Sequence, residues 1–235
     1  MTRPTTATAE SARLTTINRV AAVAFILGGS LFALGAVFAQ LGEVALLTVN
    51  VTYLVGGFFF SLGGYASVLL AVNGSVGDGT DEAVRWWGYQ PQRRDWLSAA
   101  VLFVGTLLFA VSLVAAFAEG LTPRQSDGWI WLPDILGCVC FLVSGHLAML
   151  EVGGGHVGVH VHAIGWWVVA VNQLGSVLFF LAGLAAFVRP ATSAALDAGL
   201  VNWGTFAGAV CFAIGGAVQL FDKPTTTRTV VQHTP

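Results

Sequence analysis

Apolar residues in this chain do not alternate with polar ones. They gather into six long runs, at Ile17–Gln40, Val44–Val72, Trp96–Ala118, Ile130–Glu151, Ile164–Val188 and Leu200–Phe221. About 18 apolar residues are enough to cross roughly 30 Å of hydrocarbon as a helix. The runs are apolar on every side and lack the period of two that a transmembrane barrel needs, so helices are expected. The predicted fold is therefore an all-α membrane protein of six transmembrane helices over residues 17–221. Residues 1–16 and 222–235 are polar and Thr-rich, and read as a disordered start and a flexible end. The second run exceeds what a bilayer requires and is expected to tilt or to stop near Leu70. The first follows Arg13 and contains Arg19 and the passable cleavage site Val37-Phe38-Ala39. It is too long for a signal core, and the expectation is that it is retained.

Tryptophans mark the ends of the runs. Trp86, Trp87, Trp96, Trp129, Trp131, Trp166, Trp167 and Trp203 all fall near a boundary, as expected for side chains with an apolar ring and a polar N–H. With six crossings both termini share a side. Arg3, Arg13, Arg19, Arg85, Arg93, Arg94, Lys223 and Arg228 lie on that side, against Arg124 and Arg189 on the other. The positive-inside bias then puts both termini in the cytoplasm.

The runs also resemble one another. The third aligns without gaps on the fifth at an offset of 70, pairing Trp96, Gly105, Phe109 and Ala115 with Trp166, Gly175, Phe179 and Ala185. The fourth aligns on the sixth at an offset of 71, pairing Gly137, Cys140, Phe141 and Gly145 with Gly208, Cys211, Phe212 and Gly216. The first two fit more loosely, through Gly28 and Phe32 and through Gly56, Phe60 and Gly64. Odd runs thus carry Gly-x3-Phe and even runs Gly-x3-Phe-x3-Gly. Residues four apart share a helix face, and glycine there lets another backbone approach. A two-helix unit repeated at about 17–72, 96–151 and 164–221 gives parallel copies, unlike the inverted repeats of many transporters, and suggests a three-fold arrangement about the membrane normal.

The stretch Asn202-Trp-Gly-Thr-Phe-Ala-Gly-Ala-Val-Cys-Phe-Ala-Ile-Gly-Gly resembles the paired-helix unit of the YrhK-like family of small bacterial membrane proteins. Asn50 stands in the second run where Asn202 stands in the sixth. The resemblance covers the last 70 or so residues best. It implies a multi-pass protein of the bacterial inner membrane and implies no catalytic residue.

Composition narrows the chemistry. Of 235 residues, 56% are hydrophobic and only 9% charged, with a net charge of −2, whereas soluble domains carry about 25% charged residues. No basic field for nucleic acid exists, and no zinc framework, Rossmann fingerprint or catalytic constellation is recognisable. Cys138, Cys140 and Cys211 sit inside apolar runs as packing residues. Ionisable groups within a bilayer are functional candidates by default. Two qualify, Asp134 near the outer end of the fourth run and His146 deeper in it, about 18 Å apart along the helix. Asp134 also suits a helix's first turn, and His146 is the better candidate for proton movement. Asn172 and Gln173 replace the apolar Leu102 and Phe103 of the third run and are candidate lining positions, while Gln219 is placed to bridge helices. The glycine-rich connector 152–163 holds His156, His160 and His162, weak candidates for a transition metal; otherwise no cofactor is expected. Loop 73–95 places Trp86-Trp87-Gly88-Tyr89 beside Arg93 and Arg94, a composition suited to lipid headgroups.

Three functions are open at this point, with a structural or accessory role the leading expectation, a transporter the alternative and a metal sensor the second alternative. The glycine faces favour a structural or accessory protein that binds membrane partners or copies of itself. The polar residues of the fourth and fifth runs favour instead a small-solute or ion transporter. The histidine loop allows a metal-binding sensor. An enzyme is not expected.

Overall fold

A computed structural model describes residues 6–74 and 84–222, with side chains from Glu10 onward. It is helical almost throughout, and six helical spans are long and apolar enough to cross a membrane. They are α1 (Thr6–Leu41), α2 (Leu46–Gly74), α3 (Arg94–Ala115), α5 (Leu132–Val152), α6 (Ile164–Ala185) and α7 (Ala198–Gln219). A four-residue helix, α4 (Pro123–Ser126), and a π-helical turn, Asp127–Trp131, lead continuously into α5. Each of α3, α6 and α7 has 22 residues, about 33 Å at 1.5 Å per residue, which matches a hydrocarbon core.

Helix α1 corrects the expected start. Residues 1–16 read as disordered, yet the helix begins at Thr6. No proline or glycine interrupts the segment after Pro4, and the hydroxyls of Thr15 and Thr16 donate to the carbonyls of Ser11 and Ala12 one turn back. Their polarity is absorbed by the helix itself. The expected loose C-terminal segment from Lys223 onward lies outside the described residues, as do Arg3 and Arg228.

A second departure lies before α5. Pro133 would remove a helical donor and clash with the preceding turn. The π-turn lets Leu132 donate to the Asp127 carbonyl, so the ladder is re-spaced just ahead of the proline. A capping box at Thr122, closed by Gln125, starts the segment. A small antiparallel pair, β1 (Val188–Arg189) and β2 (Ala194–Ala195), also was not foreseen; it turns through Ser193 at φ 52°. The Val188 N–H donates to Asp127 Oδ1 at 2.9 Å, tying this hairpin to the π-turn.

The helices pack as a closed ring in the order α1, α2, α3, α5, α6, α7 and back to α1. Large apolar side chains such as Val20, Leu27, Phe58, Val104, Val143 and Leu181 face outward, as lipid contact requires. Within each hairpin the same reciprocal contact recurs. A methyl group placed on Gly28, Gly105 or Gly175 would lie 2.8, 2.8 or 3.1 Å from the ring of Phe60, Phe141 or Phe212. One placed on Gly56, Gly137 or Gly208 would lie 2.7, 2.5 or 2.8 Å from the ring of Phe32, Phe109 or Phe179. Between hairpins, the second motif glycine of α2, α5 and α7 meets the neighbouring helix: Gly64 meets Phe103, Gly145 meets Gln173, and Gly216 meets Ile26. All nine glycines singled out by the motif thus face another helix of the same chain.

Polar contacts close the seams. At the end where α2 begins, hereafter the far end, Asn50 donates to the Ala116 carbonyl, Trp131 to the Gly183 carbonyl and Asn202 to Gln40 Oε1, at 2.9, 2.8 and 3.1 Å. At the opposite, near end, Asn18 and Gln219 exchange side-chain and backbone bonds between α1 and α7, which gives Gln219 the bridging position expected of it. Ser98 and Ser144 donate to one another's carbonyls between α3 and α5.

Overpacking a buried contact costs about 1–3 kcal/mol. Gly137→Leu is therefore expected to lower the thermal midpoint of the detergent-solubilised protein by several degrees. Gly128→Ala, which meets nothing within 4 Å, is expected to leave it unchanged.

Candidate functional site

The six motif phenylalanines meet at the middle of the ring. Phe60, Phe141 and Phe212 form one layer, with centroid separations of 6.4, 5.7 and 5.3 Å. Phe179 joins Phe32 and Phe109 in a second layer, at 6.2 Å from each. Within each hairpin the two rings lie 5.1–5.4 Å apart. All six are at most 7% exposed. A gap among them measures about 10 Å³, at the lower limit for a single water. Its only hydroxyl, on Thr106, already donates to the Phe103 carbonyl at 2.7 Å. The centre is therefore a dry plug.

On each side of the plug lies a cavity lined by all six spanning helices. The near cavity has a volume of about 390 Å³, with Phe141 and Phe212 at its floor. Its polar lining includes Ser98, Ser144, Asn172, Ser176 and Glu151. Arg93 and Asp95 form an ion pair at its rim, and Arg93 also donates to Gln90 Oε1 and to the Ala71 carbonyl. The far cavity has a volume of about 310 Å³ and is floored by Phe32, Phe109 and Phe179. Its polar lining includes Asn50, Tyr53, Ser112, Ser126, Asp134, Asn202 and Thr205.

At the near end the segment after residue 83 is strapped onto α2 and α3. Asn73, fully buried, accepts from the Arg85 N–H and donates to the Arg85 carbonyl. Tyr65 donates to the Trp86 carbonyl, and Trp96 Nε1 donates to the Gly88 carbonyl. Trp96 is consequently buried beneath this strap and is not a belt residue. Trp86, Trp87 and Tyr89 are 67–75% exposed, a position compatible with headgroup contact. The acidic residues Asp78, Asp81 and Glu82 of the same loop lie outside the described residues.

The sequence candidates separate. Asp134 enters the far cavity and Asn172 the near one, so the plug divides them. Asn172 packs against Gly215 of α7, and Gln173 packs against Gly145 of α5. The side-chain oxygens of both amides are buried and accept no hydrogen bond among the described residues. Gln173 bridges helices through a long 3.5 Å contact to the Leu142 carbonyl and does not line the cavity. His146, the expected proton carrier, is exposed on the outer face of α5 and lines neither cavity. His156, His160 and His162 are exposed on a connector turned by Gly154 and Gly155 at φ 63° and 100°. Among the described residues no group of three His, Cys, Asp or Glu is arranged to hold a metal. Tyr53, Trp131 and the Ser98–Ser144 pair were not anticipated as site residues. Tyr53 and the serines lack any motif, whereas Trp131 could have been found as the repeat counterpart of Asn50 and Asn202.

No family model, curated protein or solved structure matches the chain. The chemistry of the two cavities rests on their own residues.

With Cys138, Cys140 and Cys211 replaced by alanine, Asn172→Cys is expected to react with a membrane-impermeant thiol reagent only from the near end. Thr205→Cys is expected to react only from the far end, and His146→Cys from neither. Labelling of oriented vesicles followed by mass measurement reads all three.

Proposed function

We propose that the chain is a small-solute or ion transporter whose path is the axis of its six-helix ring, closed at the waist by the phenylalanine plug. One observation supports this above the others. Two cavities, each enclosed by all six helices, share a single floor from opposite sides. Such sites between bundle helices are where small ligands are usually held. The competing accessory reading drew on the glycine faces, and those faces are filled by the chain's own phenylalanines, Gln173 and Ile26. They no longer call for a partner.

The setting proposed for this path is the bacterial plasma membrane, in keeping with the resemblance of residues 202–216 to the YrhK-like unit. Among the described residues, Arg13, Arg19, Arg85, Arg93 and Arg94 belong to the near end, and only Arg124 and Arg189 to the far end. That imbalance supports a cytoplasmic near end.

Substituting one ring of the plug should loosen the closure. In liposomes containing the purified protein, Phe60→Ala is expected to raise the flux of small polar solutes at least several-fold over the unsubstituted chain. Phe58→Ala, on the lipid face at 65% exposure, is expected to leave flux unchanged. Equal flux in all three preparations would contradict an axial path.

A further inference from the structure

The two cavities differ in kind. Near the far end, the walls present five aromatic side chains, Phe32, Tyr53, Phe109, Trp131 and Phe179, and a single charged one, Asp134. Among the described residues no Lys, Arg or His lines this cavity, and Tyr53 and Cys138 are its other titratable groups. The Asp134 carboxylate forms no ion pair or hydrogen bond among the described residues. Its Oδ2 borders Gly183 of α6, 3.2 Å from where a methyl group on that glycine would sit, so glycine leaves room for it. Trp131 is fixed by its bond to the Gly183 carbonyl and by an edge contact with Phe187 at 5.1 Å. Tyr53 is held against Phe32 at 5.4 Å. At the near end, by contrast, Asp95 is already paired with Arg93.

Asp134 is half-buried, opening on the cavity; a carboxylate without a partner is costly at membrane depth, and such a group marks a ligand path or a counter-ion. A ligand bringing the opposite charge offsets that cost. A small metal ion wants several strong oxygen, nitrogen or sulfur ligands in one place; beside its neutral hydroxyls and amides this cavity brings one carboxylate and one thiol, and among the described residues no group of three His, Cys, Asp or Glu is arranged to hold a metal. An organic ammonium ion wants a different set: aromatic rings around its diffuse positive charge, and one carboxylate to neutralise it. About 310 Å³ is at the small end of ligand pockets, which suits a compact molecule.

We propose that the far cavity binds a small organic ammonium ion between Asp134 and this set of rings. The inference names the substrate class of the path proposed above and rests on that reading for passage, though not for binding. The whole chain, purified into lipid nanodiscs, is titrated with choline and followed by calorimetry and tryptophan fluorescence. Saturable binding is expected. The neutral isostere, with a tert-butyl group replacing the trimethylammonium head, is expected to bind at least ten-fold more weakly. Asp134→Asn should weaken choline binding at least ten-fold, while the lipid-facing His146→Ala should bind as the unsubstituted chain does. Should Asp134→Asn fail to fold, the choline and isostere pair on the unsubstituted chain decides. Absence of saturable choline binding, equal binding of the isostere, or unaltered binding by folded Asp134→Asn would overturn the proposal. Choline binding with no flux through Phe60→Ala keeps this site and sinks the path. Flux of other solutes with no choline binding does the reverse.

Discussion

Everything in this ring depends on one contact: a phenylalanine of one helix lying over a glycine of its neighbour, returned in kind. In lipid, helices gain little from hiding apolar surface from one another, so association relies on close packing and hydrogen bonds. Glycine removes the side chain that would hold two backbones apart, and the ring then fills the space above it. Because Gly28 receives Phe60 while Gly56 receives Phe32, neither helix of the hairpin can slide or rotate without losing both contacts. The same pairing in α3–α5 and α6–α7 puts all six rings on one axis. The waist of the ring is tight for that reason, and the two cavities are what remains where the glycine spacing ends and the helices part.

The same constraint explains where polar groups reside. The waist has no space for them apart from Thr106, whose hydroxyl bonds back to its own helix. Polar side chains therefore collect toward the two ends and work as fasteners between neighbouring helices. Asn50 on α2, Trp131 in the π-turn leading into α5 and Asn202 on α7 occupy corresponding places, and they reach the far ends of α3, α6 and α1. The chemistry differs, amide in two cases and indole in the third, while the span bridged is alike. At the inner seams Phe103, Gln173 and Ile26 play the matching part against Gly64, Gly145 and Gly216. Gln173 is the unusual member, since a buried amide oxygen replaces an apolar surface.

Much of this was legible in the residues. Hydrophobic run length fixed the helices because a bilayer leaves few alternatives to helix for a spanning segment. The Gly-x3-Phe spacing marked the very residues that interlock, since four-residue spacing defines a face. What spacing cannot define is which way a face points around a ring. His146 illustrates this: it sits one position after Gly145, which faces Gln173, so the helical turn carries it outward to the lipid side. Asn172 and Gln173 stand side by side in the sequence, yet adjacent residues diverge by about 100° on a helix, and they reach α7 and α5 respectively. The start of α1 and the π-turn before Pro133 were missed because local bonding, through Thr15, Thr16 and Leu132, overrode the polar or proline signal.

A plug made by the packing contacts themselves limits how the proposed path can open. In a pore blocked by a single side chain, one rotamer change would suffice. Here each ring of the floor is also the knob that holds a hairpin together, so no phenylalanine can leave the axis without vacating a glycine. Opening then requires a hairpin to part or tilt as a unit, a hinge or shear movement of packed helices, rather than a local flip. The seams are better suited to yield than the hairpins. The Gln173 seam has no glycine–phenylalanine interlock: Trp131 fastens it at the far end through the Gly183 carbonyl at 2.8 Å, and Cys138 and Gln173 add only longer contacts of 3.4 and 3.5 Å, whereas the Gly–Phe pairs are close on both faces. The least costly movement is accordingly one in which α6–α7 shifts against α5 with its own interlock intact. That movement alters the separation between Asp134 on α5 and Gly183 on α6, and so connects the far cavity's carboxylate to the state of the waist.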